Sequence, residues 1–225
     1  MTEQHTQVIA RGSELTRQER RWVELACLAV TEDHDALDRT MRTILSDNEI
    51  DLARILEFSL QYAVYCGWAK GAEFELAIRT QWKAARADRD GGPWPLQPAE
   101  TVADWDAWHA AAEAAYSEVN RKDIPRRDTP FVHVGVLGFV FGHVWQRPGL
   151  SMRERRVVAL ACCAAVGARR PLQVHLSSAL TSGDLTRVEL AQLLEAVSTH
   201  VDAQRAGMLQ ATWDTLDGPD IARQG

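Results

Sequence analysis

The sequence has no surplus of basic residues. Its 225 residues include 25 Lys and Arg against 31 Asp and Glu, which gives a net charge of −6 at pH 7. Proteins that bind nucleic acid usually present a basic surface, so this balance argues against such a partner. Long apolar runs are missing too, and the charged N-terminal stretch MTEQHTQVIARGSELTRQERR has no apolar signal region. We therefore expect a cytoplasmic protein with no membrane partner.

Cysteine is scarce, with Cys27, Cys66, Cys162 and Cys163 as its four occurrences. The last two are adjacent in an apolar, helix-like run, where a disulfide would strain the backbone. We expect all four to be reduced and mostly in the core. The seven histidines also lack the H-x-x-x-H and H-E-x-x-H spacings of zinc sites, so no metal site is predicted.

The alternating apolar pattern of β-strands is absent, and a repeated segment is present instead. Residues 15–29 (LTRQERRWVELACLA) match residues 150–164 (LSMRERRVVALACCA) at nine of fifteen positions, with an offset of 135 (150 − 15). In both copies, apolar residues recur at helical spacing. The sequence therefore predicts two related amphipathic helices, and one internal duplication around them.

Helix starts are marked by the S/T-x-x-E spacing of a capping box. We interpret three such pairs as helix starts, one at the beginning of each copy of the repeated segment and one near residue 186. The three pairs are Thr16 with Glu19, Ser151 with Glu154, and Thr186 with Glu189.

Further helices are predicted over about 35–45, 51–81 with a break near Gly67 and Gly71, and 171–180. The stretch FVHVGVLGFVFGHVW (131–145) suits a buried strand or a closely packed helix, and we favour a helix because its neighbours are helical. The fold class is thus predicted as all-α. The expected organisation is an arm (1–14), a first helical repeat (15–85), a turn-rich linker plus helix (86–130), a second helical repeat (131–216) and a tail (217–225).

Three motifs carry a family resemblance: the run Phe141–Leu150, the Arg-Glu-Arg of Arg153–Arg155, and the H-x-x-x-A-L of His175–Leu180. They resemble the carboxymuconolactone decarboxylase family, which includes alkylhydroperoxidase D-type proteins, and the likeness covers about 15–82 and 131–213. The resemblance implies two alkylhydroperoxidase D-like repeats in tandem. Because single-repeat members form trimers or hexamers, it implies a homotrimer of tandem repeats. The alternative is a pseudo-symmetric monomer whose halves pack on each other.

The resemblance also implies cofactor-independent lyase or isomerase chemistry on a small carboxylated, lactone-type substrate. His175 stands at the family's histidine position, where a side chain titrating near neutrality would be the general acid/base. Helical spacing from Leu172 and Ala179 places it on an inward face, so a structural buried histidine is the alternative. The first copy has Thr40 at the equivalent position (175 − 135), which predicts one site per chain.

Five further residues are candidate substrate contacts: Arg169, Arg170, His143, His200 and Arg147. The two adjacent arginines could bind a carboxylate or be solvated, and His200 could face the site or the surface. Arg147 could anchor a carboxylate, although a structural role in its turn is favoured. The family usually has Glu at positions 143 and 170, so we expect a substrate or reaction different from the family's own lactone decarboxylation.

Two other functions stay open. A catalytically inactive binding or scaffold protein would be supported if side chains filled the space around His175. An antioxidant peroxidase is disfavoured, because the residues before His175 (GARRPLQV) lack the Cys-x-x-Cys pair of that branch.

Overall fold

A computed structural model describes residues 14–86, 94 and 104–217. These residues are helical with no strand, which confirms the all-α prediction. The predictions for residues 1–13 of the arm, for 87–93 and 95–103 of the linker, and for 218–225 of the tail lie outside the described residues. Within the described part, no helix has both the length and the apolar character needed to cross a membrane.

Nine α-helices alternate with short turns over the described ranges. Their bounds are α1 Arg17–Thr31, α2 His34–Ser46, α3 Leu52–Cys66, α4 Trp68–Ala85, α5 Trp105–Asn120, α6 Met152–Val166, α7 Arg169–Ser182, α8 Arg187–Ser198 and α9 Ala203–Asp214. A π-helical segment, Phe131–Phe141, and a 3-10 turn, Val144–Gln146, lie between α5 and α6, and another 3-10 turn, Thr215–Asp217, follows α9.

The helices of the two halves begin at one constant offset. The starts of α6, α7, α8 and α9 follow those of α1, α2, α3 and α4 by 135 residues each (152 − 17, 169 − 34, 187 − 52 and 203 − 68). We refer to α1–α4 as the first half and to α6–α9 as the second half. The offset read from two short segments therefore extends over four helices.

All three predicted capping boxes form. Before α1, the Glu19 amide donates to Thr16 Oγ1 at 3.2 Å while the Thr16 amide donates to Glu19 Oε2 at 2.8 Å. Before α6, Ser151 and Glu154 make the same reciprocal pair. Thr186 begins α8 in the same way. Each box satisfies backbone donors that would otherwise be unpaired, which fixes where the helix starts.

The predicted break in the third helical region falls at Gly67 alone. This residue ends α3 and begins α4 with φ of 99°, a conformation that favours glycine. Gly71 lies inside α4 and packs on α3, because a Cβ there would come within 2.5 Å of Ala63 Cβ. The two glycines thus have separate roles, one turning the chain and one allowing close packing.

The stretch at 131–145 is helical as expected, but its hydrogen bonds differ from those of an α-helix. The Gly142 amide donates to Leu137 O, five residues back, at 2.8 Å. Gly138 and Gly142 lie against Trp108 of α5, and a Cβ at Gly142 would come within 2.7 Å of that ring. Close packing on α5 therefore accompanies the wider π-helical turn.

The two halves share a single core. Helix α1 packs along α6, α3 also packs on α6, and α8 packs on α1. Trp22 of α1 is fully buried and stacks on Phe58 of α3 at 5.1 Å between ring centroids. One apolar cluster contains residues of both halves, so neither half buries its own core independently.

Partly buried ion pairs also join the halves. Arg153 of α6 contacts Glu19 of α1 at 2.5 Å and Glu189 of α8 at 2.7 Å. Glu154 accepts from Trp22 Nε1 at 3.3 Å and pairs with Arg54. Glu19 and Glu154 therefore have two roles. Each completes a capping box at the start of its own helix, and each forms an ion pair with an arginine of the other half.

Candidate functional site

His175 lies on α7 with only 4% of its surface exposed, which agrees with the inward orientation expected from its spacing. Three side chains from other elements surround it. They are Tyr65 from α3 of the first half, Trp145 from the 3-10 turn, and Arg156 from α6. The site therefore combines both halves and the segment that connects them.

The hydrogen bonds of His175 fix its tautomer. Arg156 Nη1 lies 3.3 Å from His175 Nδ1, and a guanidinium nitrogen can only donate. Nδ1 is therefore the unprotonated acceptor, and the neutral ring carries its hydrogen on Nε2. This Nε2 donates to Tyr65 Oη at 3.2 Å.

Arg156 is itself held by two further groups, the Asp184 carboxylate and the Val119 carbonyl. Its Nε and Nη2 donate to Asp184 Oδ2 at 3.3 and 3.1 Å, and its Nη1 donates to the Val119 carbonyl at 2.7 Å. Ser182 Oγ also donates to Asp184 Oδ2, at 2.7 Å. The guanidinium is buried, so its orientation toward His175 is set by the surrounding protein.

Aromatic rings complete the surroundings of His175. Trp145 stacks on the imidazole with 5.9 Å between centroids and 15° between planes. Tyr65 meets the imidazole edge-on at 5.5 Å. Trp145 Nε1 also donates to Tyr65 Oη at 3.1 Å, so this phenolic oxygen accepts from two N–H groups.

The site shifts the titration of two of its members. Burial, together with the nearby charge of Arg156, lowers the pKa of His175 to about 3. The expectation that His175 titrates near neutrality is therefore wrong, because the imidazolium would lose its hydration and face a second cation. Burial also raises the pKa of Tyr65 well above its ordinary value, and the Trp145 hydrogen bond opposes this. Both groups are neutral at physiological pH.

Three of the proposed substrate contacts lie apart from the hydrogen-bond network of His175. Arg169 and Arg170 are exposed in the first turn of α7, and His200 is half-buried just beyond the end of α8. Within the described residues, none of the three makes a hydrogen bond or ring contact with His175. Half-buried His143 stacks on Phe139 at 5.6 Å. Their roles as substrate contacts stay predictions.

Arg147 forms an ion pair with Glu57 of α3. Its Nε lies 2.9 Å from Glu57 Oε2, and its Nη2 lies 2.7 Å from Glu57 Oε1. Its carbonyl accepts from Arg155 Nη2 at 2.8 Å. Arg147 therefore joins the turn before α6 to α3 of the first half.

Four members of the network were missed by the sequence analysis: Tyr65, Trp145, Arg156 and Asp184. Tyr65 and His175 are 110 residues apart, and no local spacing indicates their contact. The one available signal was the 135-residue offset, which relates Arg156 and Asp184 to a second Arg/acid pair at positions 21 and 49.

Open grooves lie elsewhere on the surface. One of about 260 Å³ lies between α8 and α9, lined in part by Leu194, Leu209 and Trp213. Another of about 230 Å³ lies near Gly167 and Arg205. His175 lines neither groove, and the space around its ring is occupied by Tyr65, Trp145 and Arg156.

All four cysteines are free thiols, and Cys27, Cys162 and Cys163 are buried as expected, while Cys66 is half-buried. Burial raises the pKa of the Cys27 thiol to about 12, and it also raises the pKa of the Cys162 and Cys163 thiols well above the ordinary value. In the described ranges, no three His, Cys, Asp or Glu side chains are grouped so that they could hold a metal ion. The thiols of Cys27, Cys162 and Cys163 therefore stay protonated at physiological pH.

Comparison with known proteins gives one partial likeness. The chain is 38% identical over 56 residues to 4-carboxymuconolactone decarboxylase from Acinetobacter baylyi. The match covers 25% of this chain and 41% of that protein, so it spans well under half of the relative's length. No family model matches the chain. The likeness supports a relation to the carboxymuconolactone decarboxylase family over a quarter of the sequence.

Proposed function

We propose that the chain is a tandem-duplicated protein of the carboxymuconolactone decarboxylase kind, which acts without a cofactor on a small carboxylated, lactone-type substrate. The observation that carries the proposal is the buried hydrogen-bond chain from Asp184 through Arg156 and His175 to Tyr65. The partial likeness to 4-carboxymuconolactone decarboxylase supplies the reaction class.

The reaction class suits the groups in this chain. Loss of CO2 from a lactone acid leaves an electron pair, which must delocalise into the lactone and then take up a proton. A positioned acid/base group supplies that proton and commonly accelerates such a step about 10²- to 10⁴-fold. The neutral His175 ring carries one N–H hydrogen and Tyr65 carries one O–H hydrogen. The Arg156 cation lies at the other ring nitrogen of His175.

The duplication is part of the same proposal. It is supported by the constant offset between the helix starts of the two halves, and it predicts one active site per chain, since Thr40 replaces histidine in the first half. We also propose a homotrimer, whose mass would be three times the 25.1 kDa of one chain. The shared core of the two halves suits the monomeric alternative equally, and light scattering on the purified protein distinguishes them.

The test is CO2 release from 4-carboxymuconolactone by the wild type, His175→Gln and the control Thr40→Val. We expect release by the wild type, a fall of at least about tenfold in His175→Gln, and no change in Thr40→Val. A wild type that releases no CO2 would reject this function.

A second candidate function is a catalytically inactive binding or scaffold protein. It is favoured by the filled surroundings of His175, whose two nitrogens both bond to protein groups. A trimeric wild type that releases no CO2 from the lactone, and whose stability is unaffected by it, would support this candidate instead.

A further inference from the structure

We propose that Tyr65, from the first half of the chain, is the residue that gives its proton to the substrate, and that His175 is a positioning residue that prepares it. The inference rests on the proposed function and deepens it. It changes which side chain touches the reacting carbon.

In this arrangement the imidazole of His175 has no proton that it can donate to a substrate. Its Nδ1 accepts from Arg156, so the neutral ring has one hydrogen, and that hydrogen is on Nε2, bonded to Tyr65 Oη. Donating it would leave an imidazolate, and gaining a second one on Nδ1 would direct an N–H at a guanidinium N–H. His175 therefore keeps one protonation state and orients the phenol.

The hydroxyl of Tyr65, in contrast, has a hydrogen that it can donate. Both lone pairs of its oxygen are used, one by Trp145 Nε1 and one by His175 Nε2. In the part of the chain that the structure describes, its own hydrogen has no acceptor. Of the two side chains, Tyr65 is therefore the one whose hydrogen is not already bonded to a protein group.

The two N–H donors are placed to stabilise the product of proton transfer. As the bond between the carboxylate and the lactone breaks, CO2 leaves and its electron pair stays on the lactone. That pair delocalises into the lactone, and the Tyr65 proton bonds to a carbon of the resulting anion. The phenolate left behind accepts from Trp145 and His175, with Arg156 as the nearby cation. Water returns a proton to the phenolate, so the cycle balances without an oxidant or reductant.

The neighbouring Tyr62 offers a matched control. It lies one turn earlier on α3, is fully buried, and its hydroxyl has no hydrogen-bond partner. Tyr65→Phe and Tyr62→Phe therefore remove the same atom from the same helix, and they differ in whether that atom belongs to the chain of bonds at His175.

The experiment measures kcat and KM for CO2 release from 4-carboxymuconolactone, with folding checked by urea unfolding. We expect Tyr65→Phe to lower kcat at least about 100-fold with little change in KM, and Tyr62→Phe to leave both unchanged. Trp145→Phe and His175→Gln should lower kcat by about tenfold each, because one donor to Oη is lost or weakened. Trp145→Phe also tests the inference if Tyr65→Phe fails to fold.

The outcomes separate this inference from the proposed function. A wild type and Tyr65→Phe that turn over alike, with His175→Gln reduced 100-fold, would overturn the inference and leave the function standing with His175 as the acid. Loss of activity in Tyr62→Phe to the same degree as in Tyr65→Phe would also overturn it. A wild type without CO2 release overturns both.

Discussion

The two halves of the molecule keep the same ion pair at equivalent places but differ in what surrounds it. In the second half, Arg156 pairs with Asp184 at 3.1 Å. Subtracting 135 from each number gives Arg21 and Glu49, which pair at 3.3 Å in the first half. A pair present in both halves belongs to the architecture of the fold, where it joins the first helix of each half to the turn after the second.

The histidine belongs to the second half alone. Its counterpart is Thr40, whose Oγ1 donates to Glu24 Oε1 at 3.2 Å. The side chain of Arg21 is 23% exposed, whereas that of Arg156 is 1% exposed. Deeper burial of the arginine, together with one histidine, therefore distinguishes the candidate site from the partly exposed ion pair of the first half.

The largest difference between the halves should be in the free energy of unfolding that is lost when Arg156 or Arg21 is replaced. Arg156→Met leaves Asp184, the Val119 carbonyl and His175 Nδ1 without their donor, and we expect a loss of about 3–5 kcal/mol in the free energy of unfolding. Arg21→Met removes a partly solvated pair, and a loss of about 1 kcal/mol or less is expected. Urea unfolding measures both, and equal losses would contradict the distinction between the halves.

The pH dependence of stability should show the next largest effect. The pKa of His175 is about 3 when folded and near 6.5 when unfolded, so the unfolded chain binds a proton first as the pH falls. Stability contributed by the neutral ring is therefore present above pH 6.5 and decreases below it, by about 1.4 kcal/mol per pH unit down to the folded pKa.

His175→Gln is the control for this titration, since the glutamine side chain gains no proton in that pH range. Urea unfolding at several pH values should give a steeper acid-side slope for the wild type than for His175→Gln. Matching slopes would mean that the folded imidazole accepts a proton readily.

Substitutions in the last helix of each half should have an intermediate effect on the free energy of unfolding. Gly71→Ala would place a methyl within 2.5 Å of Ala63 Cβ, and we expect a loss of about 1–3 kcal/mol. The equivalent position in the second half is Ala206 (71 + 135), beside the open groove between α8 and α9. Ala206→Gly should cost about 0.5–1 kcal/mol through helix propensity alone. Thermal or urea unfolding distinguishes the two, and a harmless Gly71→Ala would show that α4 can move away from α3.

The smallest effect concerns a feature that both halves share. Thr16→Ala and Ser151→Ala each remove the side-chain acceptor of a capping box, and each should cost about 1 kcal/mol. Because the geometry is the same in both halves, the two losses should agree. If the two substitutions lowered the free energy of unfolding by clearly different amounts, the halves would differ at the capping boxes of α1 and α6 as well as at the site.

Local features of this fold could be predicted from the sequence, and distant contacts could not. The capping boxes were predicted because three-residue spacing alone determines which side chain reaches which amide. The π-helical hydrogen bonds of Phe131–Phe141 were not, since they accompany packing of glycines on Trp108 of another helix. A helical pattern in the sequence does not specify which carbonyl each amide reaches.

The candidate site shows the same limit. His175 was identified through its motif and its inward face through helical spacing. Its partners Tyr65 and Arg156 lie 110 and 19 residues away, on helices whose packing is set by the whole core. The low pKa of His175 could not be expected either, because it depends on burial and on a buried cation that only the assembled structure brings together.

Arg156 holds His175 neutral, with its hydrogen on Nε2 and directed at Tyr65. Nitrogen NMR of the histidine-labelled protein, with His175→Gln used to assign the signal, measures this directly. We expect the His175 signals to show an unprotonated Nδ1 and no titration between about pH 5 and pH 8. A midpoint near 6.5, or a proton on Nδ1, would show that Arg156 does not hold the ring in this state.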